Sequence, residues 1–136
     1  MIRPHGLAIL PAAALALLFV SCVQGLRFRD VIDLPPPQDV QAFRHHDSIT
    51  VKWQKPGALA RDDLTGYFLY FAPRSLAAIS LAQLPRPIEI PPQLTLFTFA
   101  VADSSPVFIH MRTRSGRKHV SLPSMPELIV PPVVSR

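Results

Sequence analysis

The chain of 136 residues carries five histidines, a scatter of serines and aspartates, and one run of cations. His45-His46-Asp47 is its densest titratable cluster. Two adjacent histidines rarely bind one ion, and no carboxylate or thiol set completes a coordination sphere around them. His110 and His119, on adjoining extended segments, form a second candidate pair with the same lack of further ligands. Serine, histidine and aspartate are all present, yet none sits in a nucleophile elbow or a glycine-rich phosphate loop. The sequence therefore predicts no catalytic residues, no metal site and no cofactor. The cations are Arg112, Arg114, Arg117 and Lys118, followed by His119. Closely spaced cations attract sulfated glycans or anionic membranes. Arg114, Arg117 and Lys118 are accordingly the candidate anionic-ligand residues, against the plainer reading of a solvated hairpin tip. Arg114-x-x-Arg117 and Gly116-Arg117-Lys118 also resemble propeptide-processing sites, although a cut there would sever a predicted strand pair.

The elements that must hold these residues read as strands. In Ser48–Gln54, Ile49, Val51 and Trp53 share one parity; in Leu64–Phe71, Tyr67, Leu69 and Phe71 do. Side chains of one parity line one face of a strand, so each triplet fits a common core. Asp39–Phe43 alternates as an earlier strand, and Arg44–Asp47 is a polar turn. Ile88-Glu89-Ile90, bracketed by Pro85, Pro87, Pro91 and Pro92, reads as a protected edge. Leu94–Val101 is a strand of open facing. Val107–Arg114 is another, with Val107, Ile109, Met111 and Thr113 inward. Ser115-Gly116 turns the chain into Lys118–Leu122. Ser75–Leu84 is expected as a short helical turn or an irregular edge. That makes seven short strands with turn signals between them, the pattern of a Greek-key sandwich. Sixteen prolines against five glycines argue against long helices and collagen-like repeats.

The N-terminus is expected to be a targeting signal over residues 1–25. Arg3 gives a basic start, Leu7–Val20 is almost wholly apolar, and Val23 and Gly25 are small enough for cleavage after Gly25. The apolar run is short for a membrane span; an uncleaved anchor is the alternative. Cys22 is the single cysteine, so cleavage leaves no thiol for a disulfide or a cysteine-rich zinc site. There is no asparagine and hence no N-linked glycosylation. The net charge is +5, or +4 without Arg3, too small to argue for nucleic-acid binding. Residues 26–34 are expected as a linker, 35–126 as one domain, and 127–136 as a loose tail.

The pattern resembles a fibronectin type III domain. Pro36-Pro37 precedes the first strand, Trp53 and Pro56 close the second, Gly66-Tyr67 opens the third, and Val107–Gly116 is a late strand entering a glycine turn. The resemblance spans roughly residues 35–125 and implies an all-β, seven-stranded, immunoglobulin-like sandwich acting as a binding module. Val107 stands where the family places the tyrosine that ties down a corner. The Arg-Gly-Asp and Trp-Ser-x-Trp-Ser signatures are absent, so neither associated activity carries over. In the resembled fold the strands of Tyr67 and Ile109 lie side by side. Their outward residues, Phe68, Tyr70, Phe108, His110 and Arg112, are then expected to form one exposed face suited to a protein partner, unless the tail or Ser75–Leu84 folds over it. The expectation is a secreted, extracellular, non-catalytic module with a protein partner and at most weak glycan binding, and no nucleic acid. The alternative is a membrane-tethered surface protein held by its N-terminal segment.

Overall fold

The structure, a computed structural model, describes residues 29–31 (as backbone), 34–57, 63–102 and 105–134. The expected signal peptide and Cys22 lie outside the described residues. Nine strands follow in chain order: β1 (Arg29–Val31), β2 (Gln38–His45), β3 (Ser48–Gln54), β4 (Leu64–Ala72), β5 (Ile88–Ile90), β6 (Leu96–Ala100), β7 (Val107–Ser115), β8 (His119–Ser121) and β9 (Leu128–Val130). One sheet runs β1-β8-β7-β4-β5, with β9 also paired to β7; the other runs β2-β3-β6. All pairs are antiparallel except β1 with β8.

The sandwich is as expected, but the strand count is nine among the described residues, not seven. The two additions are β1, in the segment expected as a linker, and β9, in the segment expected as a loose tail. Both are only three residues long, too short for alternation to mark them. β9 exists because β7 is nine residues long while β8 covers only its Arg114–Ser115 end. β9 takes the other end, pairing Val107–Ile109. Between them the chain reads Leu122-Pro123-Ser124-Met125-Pro126-Glu127. Prolines have no N–H to donate, so a regular ladder cannot run through this stretch.

Serines fill the gap. Ser121 Oγ accepts from the Thr113 amide at 2.9 Å, and Ser124 Oγ accepts from the Met111 amide at 2.9 Å. The Ser124 amide donates to the Met111 carbonyl at 2.8 Å. Two buried β7 amides are thus satisfied by serine hydroxyls instead of by backbone carbonyls, as buried backbone groups must be satisfied by some acceptor.

The main core lies between the sheets. Ile49, Val51 and Trp53 of β3 meet Tyr67 and Leu69 of β4, with Ile109 and Met111 of β7. The Trp53 and Tyr67 rings pack edge to face at 5.3 Å, the geometry favoured by the ring quadrupoles. Phe71 and Phe99 close one end at 4.6 Å. Gly66 holds φ +141°, and a Cβ there would collide with the Ile90 carbonyl oxygen; only glycine lets β4 and β5 approach this closely.

Candidate functional site

The β4–β7 register sets Phe68 opposite Arg112 and Tyr70 opposite His110. The predicted residues are therefore brought together as neighbours on one face. The expectation that this face is open is corrected by the structure. Phe68 is 2%, Tyr70 3%, His110 2% and Arg112 4% exposed, and Phe108 is half-buried. Residues 73–87, including one 3₁₀ turn at Leu81–Gln83, lie over them. Leu76 is buried against Phe68, Tyr70 and Val120, with Ile79, Leu81 and Leu84 around it. The central strands are thus buried on both faces. This explains why outward positions on β4 are as aromatic as inward ones: a strand covered on both sides gains by burying apolar surface at every residue.

Glu127 fastens the cover. Its Oε1 accepts from the Leu76 amide at 2.6 Å, and its Oε2 from Ser75 Oγ at 2.7 Å. The Leu76 carbonyl accepts from the Ile79 amide at 3.1 Å, closing a turn that points Leu76 at the sheet. Beneath the cover, Phe68 and Tyr70 meet edge to face at 6.0 Å, and Tyr70 meets His110 in the same manner at 5.1 Å. The Arg112 guanidinium donates to the Ser121 carbonyl at 3.1 Å.

Burial, reinforced by the Arg112 charge and partly opposed by Glu127, lowers the His110 pKa to about 4. His110 is therefore a neutral packing element at physiological pH, and its Nε2 has no hydrogen-bond partner among the described residues. His119 is exposed and five residues further along the β7–β8 register, opposite Ser115, a distance of about 16 Å in strand rise. The two cannot share an ion. Among the described residues, no group of three or more histidine, cysteine or acidic side chains is arranged to hold a metal.

Of the candidate anionic-ligand residues, Arg114 is engaged. Its guanidinium stacks over the Phe68 ring at 4.4 Å and pairs with Glu89 at 3.6 Å. Arg117 and Lys118 are exposed on the β7–β8 turn, where Gly116 holds φ +57° and its carbonyl accepts from Thr65 Oγ1 at 3.1 Å.

The open surface is elsewhere, on the outer face of β2-β3-β6. Phe43 is 52% and Leu96 53% exposed. Between them, Thr50 and Thr98 share a hydroxyl hydrogen bond at 2.8 Å. Register aligns Phe43 with Thr50 and Thr98, and Gln41 with Lys52 and Leu96. The sequence held the signal for this face: Thr50 and Lys52 oppose the parity of Ile49, Val51 and Trp53. The facing of Leu94–Val101 was the missing piece, because Leu96 and Phe97 are both apolar and do not distinguish inside from outside.

No protein-family model matches the chain, and no curated protein matches it either. Solved structures do. The third fibronectin III domain of the human KIAA0343 protein matches with TM-score 0.56 at 15% identity, over 83% of this chain and 90% of that one. The central fibronectin-III array of RIM-binding protein matches with TM-score 0.57 at 15% identity, over 75% of this chain and 37% of the array. Three fibronectin domains of chicken CNTN1 match with TM-score 0.54 at 16% identity, over 72% and 31%. This chain spans about a third of the length of those arrays. At these identities the likeness shows the fold: a fibronectin type III-like sandwich.

Proposed function

We propose that the chain is a secreted, single-domain, non-catalytic interaction module that binds a protein partner through the outer face of its three-stranded sheet. The observation that carries this reading is the exposure of Phe43 and Leu96 on one regular sheet face, with the hydrogen-bonded Thr50 and Thr98 beside them. Apolar anchors on a preorganised sheet gain affinity without paying to order a loop. The aromatic face of β4 and β7 is spoken for by the chain's own cover, and the fibronectin III neighbours include domains joined in arrays. The exposed cations Arg117 and Lys118 add weak attraction to sulfated glycans at most.

The test is affinity capture from extracellular fluid with the wild-type chain and with a Phe43→Ser/Leu96→Ser double variant. Loss of a reproducible partner in a variant that still melts normally supports the reading. Recovery of the same partner by both chains moves the site elsewhere, and absence of any specific partner defeats the proposal. N-terminal sequencing of the expressed protein decides its release: a start at Leu26 supports secretion, whereas Met1 retained in membranes supports tethering.

A further inference from the structure

The described sheets end in five strands, and four of them carry devices against edge-to-edge pairing. β1, β5 and β9 are three residues each; β5 is flanked by Pro87 and Pro91, and β9 is followed by Pro131. β2 is broken by a register shift between Gln38 and Gln41 and by a positive φ of +48° at Asp39. β6 has none. Its register with β3 is unbroken from Ser48–Ala100 to Lys52–Leu96, and Thr95–Ala102 contains neither proline nor charge. An uncharged, regular free edge is a template for another strand.

The ladder shows which groups are free. Val101 N–H donates to the Asp47 carbonyl at 2.8 Å, and the Thr95 carbonyl accepts from Trp53 N–H at 3.0 Å. In an antiparallel pair the odd-numbered β6 residues between them also face β3, so Leu96, Thr98 and Ala100 turn their N–H and C=O groups to the free edge. This set is self-complementary. With a two-fold axis at Thr98, Thr98 meets its own copy and Leu96 meets Ala100 of the second chain. The three residue pairs exchange about six backbone hydrogen bonds. Large Leu96 then lies opposite small Ala100, and no charge sits on either strand despite the net charge of +5.

We infer that β6 pairs antiparallel with β6 of a second copy of this chain, about a two-fold axis at Thr98, joining two three-stranded sheets into one of six. The inference concerns the edge of the sheet and does not rest on the partner-binding reading of its face. The test is sedimentation equilibrium on the purified full-length expression product. The wild-type chain is expected to show a monomer–dimer equilibrium with a dissociation constant below about 1 mM. Thr98→Lys places like charges at the axis and is expected to weaken it about tenfold or more. Thr98→Glu is expected to do the same. An equimolar mixture of the two variants regains the dimer, which also shows that both are folded, and Phe43→Ser leaves association unchanged. A wild-type chain that stays monomeric overturns the inference. So does a Thr98→Lys chain that dimerises as well as wild type, or a mixture that fails to associate.

Discussion

Removing the Glu127 carboxylate should loosen the cover over β4 and β7. In Glu127→Ala two acceptors are lost, but their consequences differ. Ser75 is exposed, so water replaces the lost oxygen at its hydroxyl at little cost. The Leu76 amide is partly buried and carries the buried Leu76 side chain, 1% exposed, so its N–H is left poorly solvated. An unsatisfied donor of this kind costs about 2 kcal/mol. For a domain of this size that lowers the melting temperature by roughly 10 °C. Glu127→Gln keeps a carbonyl oxygen for the Leu76 amide and loses only charge assistance, so its deficit should be about half as large. Urea and thermal unfolding give the stabilities, and amide exchange at Leu76, referenced to Leu69 in the main core, gives the local opening. The expected pattern is a large loss of protection at Leu76 and a smaller one at Leu69. A Glu127→Ala chain within about 0.5 kcal/mol of wild type, with Leu76 protection intact, would refute the view that this side chain fastens the cover.

Further outcomes follow from the same packing. His110 has a folded pKa of about 4 against an ordinary 6.5, so the unfolded chain binds its proton first. The stability that neutral His110 allows is complete above pH 6.5 and is lost as pH falls from there to about 4, amounting to about 3 kcal/mol. Denaturant titrations across that range should show the slope in wild type and a flatter one in His110→Phe. Gly66→Ala drives a Cβ into the Ile90 carbonyl at a φ of +141°, and should cost about 2–4 kcal/mol in thermal unfolding. Ser121→Ala and Ser124→Ala each strand a buried β7 amide and should cost about 1–3 kcal/mol apiece by chemical denaturation. On heparin, the chain should elute at or below physiological salt, because only Arg117 and Lys118 of the basic run stand open; firm retention beyond it would contradict this.

What the sequence revealed and what it hid divide along a physical line. Ile49, Val51 and Trp53 announced their facing because β3 is covered on one side only, so polar Thr50 and Lys52 alternate with them. β4 offered Tyr67-Phe68-Leu69-Tyr70-Phe71, where both parities are aromatic, and alternation loses its meaning on a strand buried from both sides. The inward set was legible from length and partner pattern; the outward set looked like a binding face because aromatic and cationic residues suit an intermolecular contact and an intramolecular one equally well. The deciding contact is non-local. Glu127 reaches Ser75 and Leu76 across some fifty residues of chain, and neither segment signals the other. The same limit hid β9, whose three residues acquire strand character only because β8 pairs with no more than the Arg114–Ser115 end of β7. A chain without an inter-sheet disulfide among its described residues gains a second apolar cluster by this folding-over. The aromatic face of β4 and β7 is closed in exchange, and the sheet left uncovered is the one that carries exposed Phe43 and Leu96 beside the hydrogen-bonded Thr50 and Thr98.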